Sequence, residues 1–134
     1  MNWIGKTVSI YMTTVALLGC VGKSDLEGTW QFNGGIYNGQ KEGGTEGYKL
    51  QRTYKGSKFE AFMLEDGTTP QKFQAGNYKL SGDSCMETET YSTQPSNLTG
   101  VTLRYHYQIK NDTLTFDGKL PTGMVVEEYW VRVK

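Results

Sequence analysis

Two pairs of acidic residues are the first candidates for chemistry in this sequence. Glu87 and Glu89 are two residues apart, which on a β-strand places both side chains on one face, about 7 Å from each other. Two carboxylates in that arrangement are compatible with a glycosidase pair. On an ordinary strand such residues are more often solvent-facing charges, and we expect that here. Glu127 and Glu128 are adjacent, so they point to opposite faces of a strand and do not form a pair.

His106 and Cys85 are the other residues with catalytic or ligating chemistry. His106 is the only histidine, and a single histidine can ligate haem. The alternation around it places His106 opposite the apolar face, so we expect a solvent-facing or a polar lumen-facing histidine instead. A catalytic thiol needs a base, and we expect Cys85 to be a small core residue. The sequence shows no nucleophile elbow, phosphate loop or set of zinc ligands. We therefore predict a protein that is not an enzyme and that holds no metal or cofactor.

The N-terminal segment predicts export and lipid attachment. Lys6 precedes an apolar and hydroxylated run over residues 7–18, which is typical of a secretory signal and too short to span a membrane. Leu17-Leu18-Gly19-Cys20 resembles the bacterial lipobox. The resemblance implies cleavage before Cys20 and its acylation, palmitate included, which would anchor the chain in a membrane. The alternative is an ordinary signal peptide with an incidental cysteine. We expect an outer-membrane anchor, with the periplasmic or surface face left open.

Length and composition predict one folded domain behind this leader. The chain has 134 residues, enough for a single domain, and we divide it into a signal peptide (1–19), a lipidated cysteine with tether (20–26) and a β-domain (27–134). Basic and acidic residues balance at 14 each without a basic patch, so nucleic acid is an unlikely partner class. The 17 glycines and 9 tyrosines are typical of short strands and tight turns.

Alternation and turn residues predict eight strands. The clearest is residues 101–109, where five apolar residues alternate with four polar ones. Gly76 interrupts the alternation of its strand and predicts a bulge. Residues 34–47 contain six glycines and predict a long, mobile loop, whose apolar residues are Ile36 and Tyr37; a disordered surface loop is the alternative. The predicted strands cover residues 27–33, 48–55, 58–64, 72–80, 85–93, 101–109, 113–116 and 124–133.

The two ends of the domain carry a family resemblance. The first strand contains Gly28-Thr29-Trp30 and the last contains Trp130-Val131-Arg132; in a closed barrel these strands are neighbours, and Arg132 is expected to lie on the Trp30 indole. A Gly-x-Trp start with a basic residue on the last strand is similar to the signature of lipocalins and their calycin relatives. More specifically, both ends resemble lipocalin-like domains of bacterial lipoproteins of unknown function. The resemblance implies an all-β, eight-stranded antiparallel up-and-down barrel closed by Gly28, Trp30 and Arg132; a β-sandwich is the alternative. The resemblance also implies that the long first loop folds over the open mouth, with Ile36 and Tyr37 as the apolar residues of a lid.

Such a barrel leads to two expectations about function. The first is a binding module that holds a small apolar or amphipathic ligand, because tyrosines supply apolar walls with hydroxyl groups for orienting contacts. The alternative is a filled-core structural or protein-interaction domain of the cell envelope. The alternation of the last strand does not decide which of its faces is inside. The candidate ligand-binding residues are Tyr48, Leu50, Arg52, Phe59, Met63, Leu103, Tyr105 and Tyr107.

Overall fold

The structure, a computed structural model, describes residues 24–134. These residues form nine strands and no helix, and none of them belongs to a helix long and apolar enough to cross a membrane. Cys20 and the predicted leader lie outside the described residues. The strands are β1 (Gly28–Tyr37), β2 (Gln40–Glu42), β3 (Lys49–Lys55), β4 (Lys58–Leu64), β5 (Gln71–Ser81), β6 (Ser84–Ser92), β7 (Thr102–Lys110), β8 (Thr113–Lys119) and β9 (Val125–Arg132).

Pairing between β1 and β9 closes the sheet into a barrel. Each strand from β3 to β9 pairs antiparallel with its neighbour in sequence, β1 pairs with β3, and β1 also pairs with β9. Eight strands therefore form a ring without a free edge, and β2 is an extra strand on the second half of β1. The predicted eight-stranded antiparallel barrel is confirmed, and the β-sandwich alternative is wrong.

The barrel has two unlike ends, which we call the closed end and the mouth. Two-residue turns at Gly56-Ser57, Gly82-Asp83 and Asn111-Asp112 connect strands at the closed end. Residues 24–27 enter there, and the Leu26 side chain is fully buried beneath the first strand. The longer connections 43–48, 65–70, 93–101 and 120–124 all lie at the mouth. Loop length therefore separates a sealed end from an open one.

The glycine-rich segment 34–47 differs from the predicted loop. β1 continues through Gly34 and Gly35 to Tyr37, with a register shift against β9 between Phe32 and Gly35. Asn38 (φ 49°) and Gly39 (φ 83°) then form the two-residue turn that Asn-Gly favours, and β2 returns along β1. A Cβ at Gly35 would lie 2.7 Å from the Glu127 carbonyl oxygen, so this glycine permits close strand approach. Only residues 43–48 remain a connection.

The predicted bulge at Gly76 is present. The pairing of β5 with β6 shifts register between Ala75 and Gly76. A Cβ on Gly76 would lie 2.1 Å from the Thr88 carbonyl oxygen and 2.7 Å from the Phe59 ring. Glycine is therefore required where the two backbones and a core ring converge.

The closed half of the barrel is filled with large side chains. Its core contains Leu26, Trp30, Tyr54, Phe59, Tyr78, Cys85, Leu114, Phe116 and Trp130. The open question about the last strand is answered by Val126 and Trp130, which are buried on the inner face of β9. The expectation that Glu87 and Glu89 face solvent is wrong: they are 5% and 9% exposed, because they share the inward face of β6 with the fully buried Cys85.

Candidate functional site: a polar-floored cavity at the mouth

The mouth half of the barrel encloses a cavity of about 540 Å³. Six of the eight candidate residues from the sequence line it: Tyr48, Leu50, Arg52, Phe59, Leu103 and Tyr105. They come from β3, β4 and β7 and from the residue before β3, where alternation directs every second side chain inward. The cavity has the size of small-molecule sites, and its wall combines polar and apolar groups in nearly equal measure. Of the two alternatives from the sequence, a filled core describes the closed half, and an open lumen describes the mouth half.

The other two candidate residues lie elsewhere. Met63 lines an adjoining depression of about 390 Å³ together with Tyr48 and Phe73. Tyr107 is near the closed end, where its hydroxyl donates a hydrogen bond to the Gly82 carbonyl oxygen at 3.4 Å. Strand alternation places Met63 and Tyr107 on inward faces but does not say how far along the barrel axis each residue lies.

An ion pair between Arg52 and Glu87 forms the floor of the cavity. Arg52 Nη2 donates to Glu87 Oε1 at 3.0 Å, and the two side chains are only 12% and 6% exposed. The Tyr54 hydroxyl donates to the other carboxylate oxygen at 2.6 Å. Burial is the largest single influence on the pKa of Arg52 and would lower it, but the charge of Glu87 together with smaller contributions from Tyr54, Glu128 and Tyr105 raises the pKa overall. Burial also raises the pKa of Tyr54.

Gln74 extends this network toward the mouth. Its side-chain oxygen accepts a hydrogen bond from Arg52 at 3.3 Å, and its nitrogen donates to Glu89 Oε2 at 2.6 Å. Thr99 donates to the second oxygen of Glu89 at 2.8 Å. Burial alone would raise the pKa of Glu89, but these hydrogen bonds lower it below its ordinary value. Glu89 is therefore a carboxylate held ionised by neutral donors.

Glu128 is an inward-facing cavity carboxylate without an ion pair among the described residues. It lines the cavity from β9, and the side-chain donor beside it within residues 24–134 is the Trp130 indole N–H. Burial raises the pKa of Glu128, and the charge of Arg52 and the neighbouring Trp130 N–H only partly oppose this. Two buried donors also lack a well-placed acceptor within the described part of the chain: Trp130 Nε1 and Arg52 Nε. Glu128 therefore lacks an ion pair, and the Trp130 N–H beside it does not reach good hydrogen-bonding geometry.

The segment around β2 covers one side of the mouth. Tyr37, Glu42, Gly43, Gly44 and Thr45 all line the cavity. Burial raises the pKa of Tyr37 to about 12, with smaller contributions from Glu128 and Glu42. Ile36, the other residue of the expected lid, pairs with Lys41 and with Glu127 in the sheet. Entry to the cavity therefore passes the hairpin and the residues that follow it.

Trp30 and Arg132 meet at the closed end, where the sequence placed them. They are direct partners between β1 and β9, and the Arg132 guanidinium lies 4.2 Å from the Trp30 ring centroid. Arg132 donates to the carbonyl oxygens of Glu27 at 3.1 Å and Asp25 at 2.8 Å. A Cβ on Gly28, whose φ is 128°, would lie 2.9 Å from Arg132 Nη1. The glycine makes room for the arginine that covers the tryptophan.

His106 and Cys85 have the structural roles expected of them. His106 is on the outside of the barrel, with Nδ1 2.8 Å from Asp117 and Nε2 3.2 Å from Asp83; the hydrogen bond with Asp117 raises its pKa. Cys85 is fully buried and unpaired within the core, and burial raises its pKa to about 12. Within residues 24–134, no three His, Cys, Asp or Glu side chains cluster as a metal site.

Sequence reasoning missed the polar floor of the site. Glu87 and Glu89 share strand parity with Cys85, which was itself expected in the core, so the signal for an inward face was present. Gln74 precedes the β5 bulge, and that irregularity obscures its orientation. Glu128 and Trp130 share one face of β9, and either face was compatible with the alternation. To predict that these residues face inward, one would have had to know that Arg52 lies across the lumen from them.

Comparisons with known proteins support the fold alone. No family model matches the chain, and no curated protein matches it. Among solved structures, the chain is similar to an uncharacterized protein from Bacteroides eggerthii DSM 20697, with 14% sequence identity and a TM-score of 0.62. The alignment covers 81% of this chain and 100% of that protein. The same barrel architecture therefore occurs in a protein with a largely different sequence.

Proposed function

We propose that this protein is a lipid-anchored lipoprotein of the bacterial cell envelope, with a lipocalin-like barrel that holds one small amphipathic ligand. The observation that carries the proposal is the cavity of about 540 Å³, which is open at one end of a barrel whose other end is filled. Rings from Phe32, Tyr105 and Trp130 offer apolar contact, and Arg52 with its partners offers polar groups at the floor. This combination matches a ligand with an apolar body and a polar end.

The hydrogen bonds of the floor favour binding over catalysis. Glu87 is held by Arg52 and Tyr54, and Glu89 by Gln74 and Thr99. A glycosidase pair needs one carboxylic acid that donates a proton and one carboxylate that attacks or activates water. The lowered pKa of Glu89 and the ion pair of Glu87 suit neither residue to the role of a proton donor.

The expected anchor at Cys20 would hold the closed end of the barrel near the membrane. Arg132 fixes the backbone at Asp25 and Glu27 to that end, and the five residues from Cys20 to Asp25 span at most about 18 Å. The mouth lies at the opposite end of the barrel. We therefore propose that the ligand enters from the aqueous side and not directly from the anchoring leaflet.

Native mass spectrometry of the protein incubated with a lipid and metabolite extract tests ligand binding. We expect one adduct of a small molecule per chain. Leu103→Trp, which places a larger side chain in the cavity, should abolish the adduct. Arg104→Trp, on the next and outward-facing position of β7, should leave it unchanged. A clean apo mass across extracts, or equal adducts in both variants, would contradict the proposal.

Lipid attachment is tested separately in cells. We expect Cys20→Ser to release the protein from the membrane fraction and to remove metabolically incorporated palmitate. Cys85→Ser should change neither property, because Cys85 is buried in the barrel core. Palmitate that remains on the Cys20→Ser protein would refute the lipobox assignment without affecting the ligand proposal.

A further inference from the structure

The cavity wall carries more negative than positive charge. Four carboxylates line it, from Glu42, Glu87, Glu89 and Glu128, whereas Arg52 is the one cationic side chain among its lining residues. The whole chain, by contrast, has 14 acidic and 14 basic residues. The Arg52 guanidinium is already bound to Glu87 at 3.0 Å. Glu42, Glu89 and Glu128 therefore have no ion pair with any of the described residues, and of these Glu42 is exposed, whereas Glu89 and Glu128 are the two inner carboxylates.

These two carboxylates differ in their remaining hydrogen-bonding capacity. Glu89 accepts hydrogen bonds from Gln74 and Thr99, whereas the donor beside Glu128 is the Trp130 indole N–H, which lowers the pKa of Glu128 but lies outside good hydrogen-bonding geometry. Two positions along β9, on the same inward face, Trp130 is only 5% exposed, and its indole N–H has no well-placed acceptor in the described part of the chain. A buried polar group without a partner is costly. This wall therefore points to an occupant that supplies a charged donor for Glu128, which forms no ion pair with the described residues.

The barrel interior already shows how it holds a cation. The Arg52 guanidinium lies 4.6 Å from the Phe59 ring centroid and 5.7 Å from that of Trp130, with its charge paired to Glu87. Aromatic faces and a carboxylate stabilise a desolvated cation together. Around Glu128 the cavity offers the same two elements, since Phe32 and Trp130 form an edge-to-face pair at 5.3 Å on that wall.

We infer that the cavity takes a cationic amphiphile, in which a protonated amine pairs with Glu128 and an apolar body lies against the aromatic walls. This inference rests on the proposed ligand-binding function. A ligand with a carboxylate end is disfavoured, because it would meet Glu89 and Glu128 while the guanidinium of Arg52 is occupied.

Isothermal titration calorimetry of the purified protein with three probes of equal chain length tests which charge the cavity prefers at the polar end of a ligand. The probes are n-octylammonium, n-octanol and n-octanoate, each below its aggregation concentration at neutral pH. We expect octylammonium to bind about tenfold or more tightly than octanol, because a charge-assisted hydrogen bond contributes on that order. Octanoate should bind most weakly. Glu128→Gln should remove the preference for the amine and leave octanol affinity unchanged.

Glu127→Gln is the matched control, since it removes a carboxylate from the outward face of the same strand; the amine preference should persist in it. Tighter binding of octanoate or octanol than of octylammonium would overturn the cation inference and leave the ligand-binding function standing. An equal loss of amine affinity in both variants would also overturn it, because a diffuse surface potential would then explain the preference. If none of the three probes binds, the cation inference and the proposed function both fail.

Discussion

The guanidinium of Arg132 lies 4.2 Å from the centre of the Trp30 indole ring, and this contact joins the last strand of the barrel to the first. The same guanidinium donates to backbone oxygens of Glu27 and Asp25, and Asp112 lies 3.4 Å from its Nε. One side chain thus covers the largest buried residue, fixes the entering segment and contacts a turn at the closed end. Loss of this arginine should therefore affect the closed end specifically.

We expect Arg132→Ala to lower the free energy of unfolding by about 1–2 kcal/mol, since a cation–π contact and several hydrogen bonds are lost. Urea denaturation followed by tryptophan fluorescence measures the change. Lys119→Ala is the control, because Lys119 is exposed at the mouth end of β8 and should shift stability by less than about 0.5 kcal/mol. Equal effects of the two substitutions would remove the proposed role of Arg132 in closure.

The bulge at Gly76 makes a second prediction, about backbone spacing. Gly76→Ala would place a Cβ 2.1 Å from the Thr88 carbonyl oxygen, and the backbone cannot move without breaking the pairing of β5 and β6. We expect a loss of about 3 kcal/mol or more, at the upper end of overpacking effects. Gly43→Ala is the comparison, since no atom lies within 4 Å of its added Cβ and its φ is not positive. If both variants unfold at the same urea concentration, the close approach at Gly76 is not a constraint.

The architecture was predictable from the sequence because period-two alternation and turn residues report on local geometry. The strands around residues 48–55, 58–64 and 101–109 agree closely with β3, β4 and β7. The segment with six glycines was misjudged because glycine permits both mobility and close backbone approach. Asn38-Gly39 was the available signal for the hairpin that the prediction overlooked.

The candidate site was less predictable because its polar residues depend on contacts across the lumen. Glu87 resembles a solvent-facing charge when only its own strand is considered. It is buried because Arg52, 35 positions earlier in the chain, and the Tyr54 hydroxyl reach its two oxygens. A single sequence does not show which side chains meet across the lumen. Strand alternation also does not report how far along the barrel axis a residue lies. It therefore could not predict that only one half of the barrel is filled.

The buried pair of Arg52 and Glu87 gives a third prediction. Glu87→Gln leaves the guanidinium buried without a countercharge, and we expect a loss of about 3–5 kcal/mol in the free energy of unfolding. The exposed pair of Glu60 and Lys72, at 3.6 Å, is the control, and Glu60→Gln should cost less than about 1 kcal/mol. The double variant Arg52→Met with Glu87→Met should lose much less than the sum of the two single variants. Additive losses would show that the two charges are energetically independent.

Cys85 should be chemically inert in the folded protein. Its side chain is fully buried, and burial raises its pKa to about 12, so at about pH 8 almost no thiolate is present to react. In a Cys20→Ser chain, where Cys85 is the remaining cysteine, we expect no labelling by a disulfide reagent until urea unfolds the barrel. Ser57→Cys in a chain that lacks both native cysteines should react at once, because residue 57 is exposed in a turn. Rapid labelling of native Cys85 would contradict the packed closed half of the barrel.

Glu128 should make the folded protein less stable as pH rises, whereas an ordinary ion-paired carboxylate makes it more stable. Burial raises the pKa of Glu128 in the folded state, so folding is favoured while the group is protonated and is opposed as pH rises through that raised pKa. Glu128→Gln, which imitates the protonated form, should therefore be more stable than the unmodified protein at neutral pH. The difference should vanish below about pH 4, where glutamate is protonated in the unfolded chain as well. Urea midpoints measured across this range give the comparison, with Glu127→Gln as the outward-facing control that should show no such trend.

A gain in stability together with a loss of amine affinity in Glu128→Gln would mean that the protein keeps an unfavourable buried carboxylate because its ligand requires it. A midpoint for Glu128→Gln at or below that of the unmodified protein at neutral pH would show that Glu128 has a partner in solution, and the unpaired acceptor on which the cation inference depends would be lost.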